Sequence, residues 1–182
     1  MSISTKVDVI PDLNAQDANC RRMPPDQETL SPRNIKMMQA WIEDCESNHA
    51  LCRLPPSAAP WLPTRLLDVG DPNTSVHPRI VETKSMPAGN VVYAALSHMW
   101  GDVYTVPPLQ TMEYNYSNLQ QSISPDRLPL NFLNALGTCL SLGIQYIWID
   151  SLCIIQDSEE DWRREAETMH MVYKNARVTI VA

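Results

Sequence analysis

Between Tyr146 and Asp157 the chain reads Tyr-Ile-Trp-Ile-Asp-Ser-Leu-Cys-Ile-Ile-Gln-Asp. An apolar run ends there in two carboxylates, a hydroxyl, a thiol and an amide: Asp150, Ser151, Cys153, Gln156 and Asp157. A second polar group, Ser97, His98, Trp100, Gly101 and Asp102, follows the apolar stretch 91–96. Ligands of open α/β sheets bind beyond the carboxyl ends of strands. The two groups together offer acid, base and hydrogen-bond donors for a nucleotide-like ligand or for proton transfer. The ligand-binding candidates are thus Ser97, His98, Trp100, Gly101, Asp102, Asp150, Ser151, Gln156 and Asp157. The same residue types also serve as ordinary caps after strands, with Trp100 and Trp148 filling the core.

Three residues are candidates for catalysis: Asp150, Glu165 and Cys153. Cys153 could act as nucleophile, with His98 as base and Asp150 as orienter. Its neighbours Leu152, Ile154 and Ile155 equally suit a buried, inert thiol. Glu165 falls on a helix expected over 158–175, at the margin of a stripe made by Trp162, Ala166, Met169 and Tyr173. A carboxylate there suits a general acid or base, or a rim ion pair with Arg164 or Arg177. Ser158 and Asp161 have capping-box spacing. Cys45, His49 and Cys52 form C-x3-H-x2-C, which could offer three soft ligands to zinc. They also continue the helical stripe of Ile35, Met38 and Ile42, so packing accounts for them and no metal is assigned.

Composition narrows the function. The net charge is −7 with 14 Lys and Arg and no basic run. Nucleic-acid and anionic-membrane binding need clustered cations, so neither is expected. No apolar run reaches the ~18–20 residues that span a bilayer, and residues 1–19 lack a signal-peptide core. A cytoplasmic protein with thiol cysteines is expected. Only five glycines are present, and the glycine-rich dinucleotide and Walker signatures are missing.

Residues 1–30 read as a loose tail. Residues 31–64 read as a helix, N-capped by Ser31 with Pro32 following, and a Pro-rich linker. Residues 65–182 read as an α/β domain. Short strands are expected near 65–69 and 79–82, separated by the turn Gly70-Asp71-Pro72-Asn73. A strand over 91–97 and an irregular connection over 101–128 follow. A helix over 130–142 ends at Gly143, then a strand over 145–150, the helix over 158–175 and a strand over 177–182. Alternation of strand and helix predicts right-handed parallel crossovers. Ser97 and Asp150 should then finish on one edge of the sheet. The sequence stops inside its last expected strand, which predicts a truncated domain.

Taken together, these motifs resemble the heterokaryon incompatibility (HET) domain of filamentous fungi. The matching pieces are Tyr93-Ala-Ala-Leu-Ser97-His-Met-Trp100-Gly101, Leu128-Pro129 with Phe132 and Ala135, and Leu142 through Asp157. Asp161-Trp162, Glu165, Met169, Tyr173, Ala176 and Thr179-Ile180 complete them. Trp41, Cys45, His49, Cys52 and the stretch from Pro63 to Val69 extend the resemblance to roughly 41–182. His98 stands where the family commonly has tyrosine. The resemblance implies a partial flavodoxin/TIR-like parallel sheet with flanking helices. It also implies fungal allorecognition, programmed cell death, self-association and partners among other incompatibility or signalling proteins. TIR-like chemistry would make NAD a substrate, cleaved by a glutamate on the helix after the third strand, beyond Ala182; Glu165 precedes that helix. Assembly-driven signalling is the leading expectation, with NAD glycohydrolase and cysteine hydrolase as the enzymatic alternatives; no resident cofactor is assigned.

Overall fold

The computed structural model describes residues 25–49, 52, 61–86, 91–100 and 109–182. Residues 1–24 of the tail expected over 1–30, most of the Pro-rich linker, and Gly101 and Asp102 lie outside them. Helix α1 spans Pro32–Asn48, and Ser31 caps it by accepting from the Asn34 N–H at 3.2 Å. The sheet contains β1 (Arg65–Asp68), β2 (Arg79–Glu82), β3 (Tyr93–Ser97), β4 (Tyr146–Trp148) and β5 (Val178–Val181). The other described α-helices are α2 (Tyr116–Gln121), α3 (Leu130–Ser141), α4 (Asp150–Cys153) and α5 (Glu159–Asn175).

The strand order is β2-β1-β4-β3-β5. β3 runs parallel to β4 and to β5, as the alternation of strands and helices predicts. β1 runs antiparallel to both β2 and β4. The sheet is therefore mixed, with the expected short strands β1 and β2 joined to the parallel strands. Its cause is visible in β1: Leu66 and Leu67 point to opposite faces and are both fully buried. A strand apolar on both sides needs cover on both sides, so the hairpin joins the main sheet.

The pleat sorts the core into two layers. Ala94, Leu96, Ile147 and Ile149 pack with Leu119 of α2 and with Phe132, Ala135, Leu136 and Cys139 of α3. Tyr93, Ala95, Trp148 and Leu66 pack on the other face with Val172, Met169 and Tyr173 of α5. Gly143, at φ +69°, ends α3. Its N–H reaches Leu140 O and the Ile144 N–H reaches Cys139 O, the paired bonds of a Schellman motif. That reversal delivers the chain into β4.

Four expectations need correction. The stretch expected to be irregular contains α2 and a 3-10 turn at Pro125–Arg127. β4 stops at Trp148, and Asp150 opens a single helical turn. Ser158 makes no capping hydrogen bond with its side chain. The buried stripe of α5 is rotated: Trp162 is exposed, while Asp161 and Glu165 are buried.

The rotation follows from Arg65. This guanidinium is 4% exposed at the start of β1. It pairs with Asp161 and stands 3.6 Å from Glu165. Its Nε donates to Cys153 O at 2.6 Å, and its charge lies over the Tyr116 ring, 5.8 Å from the centroid. Asp161 also accepts from the Ile155 N–H at 2.9 Å. A buried cation must be paired, so α5 turns its acids inward. Burial alone would lower the Arg65 pKa; the two carboxylates reverse this and hold it above its ordinary value. Arg65→Met should destabilise the fold by about 3–5 kcal/mol, because two buried carboxylates are left with only the half-exposed Arg164 as cation. Arg164, also paired with Asp161, is 51% exposed, and Arg164→Met should cost under about 1 kcal/mol. Urea denaturation of both variants checks the contrast; equal losses would contradict it.

Candidate functional site

β3 and β4 run parallel in register, Tyr93 opposite Tyr146 and Ala95 opposite Trp148. Both therefore release the chain at the same edge, as predicted. After β3 come Ser97, His98 and Trp100; after β4 come Asp150 and Ser151. The Trp100 indole donates to Asp150 Oδ2 at 2.8 Å. The Ser151 N–H donates to Asp150 Oδ1 at 2.7 Å. His98 Nδ1 lies 3.7 Å from the same Oδ1, within ion-pair range but too long for a hydrogen bond. Asp150 is thus a carboxylate held in one orientation and still partly open to solvent.

His98 is the unusual member. Its side chain is 2% exposed and meets the Phe132 ring edge-on at 4.9 Å. Among the described residues neither ring nitrogen has a hydrogen-bond partner, nor does the buried Ser151 hydroxyl. Buried polar groups are usually satisfied. Burial lowers the His98 pKa, and the Asp150 charge offsets part of that effect. The imidazole is neutral near pH 7, able to accept at one nitrogen and donate at the other. The arrangement offers an oriented acceptor beside two unpartnered donor–acceptor groups.

Other predicted residues are occupied elsewhere. The Gln156 amide donates to Asp150 O and Ile154 O, both at 3.1 Å, and Asp157 Oδ1 accepts from the Glu113 N–H at 2.9 Å. These bonds close the loop that follows α4. Ser97 is half-buried, and its carbonyl accepts from the Ala182 N–H at 3.0 Å. Cys153 is completely buried on the α5 face, and its thiol is pushed up to about 12 chiefly by burial. A nucleophile needs the thiolate, so this geometry gives the thiol a packing role. Glu165 sits in the Arg65 cluster. The three catalytic candidates therefore do not converge on one site.

Thr111 is a residue the sequence reading missed. It is buried, donates through its hydroxyl to Leu152 O at 2.6 Å and through its N–H to Ser151 O at 2.9 Å. It also accepts from the Gln156 N–H at 2.8 Å. Nothing in its neighbourhood in the sequence signals this; the bonds join segments forty residues apart. Arg65 did carry a signal: a lone cation opening an apolar strand, with acids four apart on a later helix. Cys45, His49 and Cys52 lie at the end of α1, far in sequence from these groups.

The fold and site define an α/β domain with a mixed sheet and a polar carboxyl edge. Residues 93–182 match the family model described as Heterokaryon incompatibility protein (HET). It is also similar to "Heterokaryon incompatibility protein 6, OR allele" of Neurospora crassa, 30% identical over 101 residues. That similarity covers 49% of this chain and 14% of the relative's length. No solved structure matches the chain. Among the described residues no helix is long and apolar enough to cross a membrane.

The neutral, buried His98 sets a pH dependence. Its folded pKa lies below the unfolded value, so the unfolded chain takes up the proton first as pH falls. Its contribution is complete above pH about 6.5 and is lost progressively below that. The difference in urea midpoint between about pH 7.5 and about pH 5.5 should therefore shrink in His98→Phe. An unchanged difference would contradict a buried neutral imidazole.

Proposed function

We propose that this chain is an incompatibility module for fungal non-self recognition, acting in the cytoplasm and triggering cell death by assembly with itself or with other incompatibility proteins. The observation that carries this reading is the family match over residues 93–182, which includes both halves of the polar edge. One feature supports assembly. Met99, between the two site residues His98 and Trp100, is 86% exposed.

A second reading is a TIR-like glycohydrolase that cleaves NAD. It is favoured by His98 and Ser151, buried without partners beside Asp150 at the carboxyl edge of parallel strands. In this reading Asp150, His98 and Trp100 bind the nucleotide.

Inducible expression of the chain in a fungal host separates the two. Assembly predicts growth arrest, concentration-dependent oligomers by light scattering, unchanged cellular NAD, and arrest that survives Asp150→Ala. NAD cleavage predicts a fall in NAD and release of nicotinamide, both lost in Asp150→Ala. Absence of both arrest and oligomers would overturn the assembly reading.

A further inference from the structure

The end of α1 brings together three soft ligands that the polar edge does not use. His49 caps the helix one turn after Cys45, with Nδ1 3.5 Å from Cys45 Sγ. The Cys52 N–H donates to His49 O at 3.0 Å, a turn that returns the chain toward the helix. The two Sγ atoms and one imidazole nitrogen then lie within 4.8 Å of one another. In a tetrahedral zinc site with bonds of about 2.0–2.3 Å, such atoms stand roughly 3.5–3.8 Å apart. The required contraction is about 1 Å, within the reach of side-chain rotation.

Packing does not account for this cluster. Cys45 is half-buried, His49 and Cys52 are exposed, and neither core layer includes any of them. The thiols are free rather than joined. The last turn of α1 carries no basic residue of its own, and the negative end of the helix dipole favours a cation beside the cluster. Two thiolates with an imidazole select a borderline-soft metal over magnesium or calcium.

We infer that Cys45, His49 and Cys52 bind a zinc ion, leaving its fourth position open to water or one added donor. Glu46, on the same turn, holds Arg177 ahead of β5 at 2.7 and 3.1 Å. The metal would fix the chain's exit from α1 at a point already tied to the sheet. This inference is independent of the incompatibility reading.

The test is titration of the purified, reduced and chelator-treated 182-residue chain with Co2+ alone. A thiolate-to-cobalt charge-transfer band with tetrahedral ligand-field absorption is expected, saturating at one ion per chain and displaced by Zn2+. Cys45→Ser and Cys52→Ser should each lose the charge-transfer band or markedly weaken it, and His49→Gln should shift the ligand-field bands. His170→Gln, on the exposed side of α5, should leave the spectrum unchanged. Far-UV circular dichroism establishes that each variant is folded. No charge-transfer band in the parent chain, or the same band in the Cys45→Ser/Cys52→Ser double variant, would overturn the inference.

Discussion

Arg65 is the fixed point about which the α5 side of the molecule is arranged. One buried guanidinium binds the carbonyl that ends α4 and pairs with Asp161 and Glu165, two acids one turn apart on α5. Desolvating a cation is costly enough that an unpaired alternative is excluded. The helix rotation, the position of Ile155 and the burial of Cys153 all follow from satisfying it. The polar edge depends on it in turn, because α4 begins with Asp150. The ion cluster itself lies on the α5 side of the sheet and serves to hold the loop.

What could be read in the sequence was what local chemistry decides. Gly143 announced the reversal after α3 because only a residue tolerant of positive φ fits there. The alternation of strands and helices announced parallel crossovers, and the parallel order of β3 and β4 put Ser97 and Asp150 on one edge. What could not be read was chosen by partners distant in the chain. The stripe of α5 looked apolar through Trp162 because helical periodicity ignores a charge arriving from β1. Thr111 looked like loop because its three bonds reach residues 151, 152 and 156. Gln156 and Asp157 looked like ligand-binding groups, yet backbone N–H and C=O groups occupy them. A polar side chain after a strand is equally suited to a ligand or to its own loop, and only geometry separates the two.

At the edge itself, Asp150 is restrained by one bond from each neighbouring segment. The indole of Trp100 fixes one oxygen and the Ser151 N–H fixes the other. A carboxylate so held loses little further freedom when it meets a ligand or a partner. His98 lies on the other layer from Cys153, against Phe132, so the thiol and the imidazole belong to opposite faces of the sheet. That separation is a consequence of pleat: residues that follow adjacent strands can share an edge and still point to different cores.

The strand order also governs how the polypeptide can acquire this structure during synthesis. The β1–β2 hairpin emerges first and is sequence-local, but β1's other neighbour is β4, and β3 has only β4 and β5 as neighbours. Both central strands must therefore wait, apolar on both faces, until the last third of the chain has left the ribosome. Long-range pairing of this kind is slow and leaves nascent strands open to wrong partners. The two-layered core closes only when α5 brings the acids to Arg65.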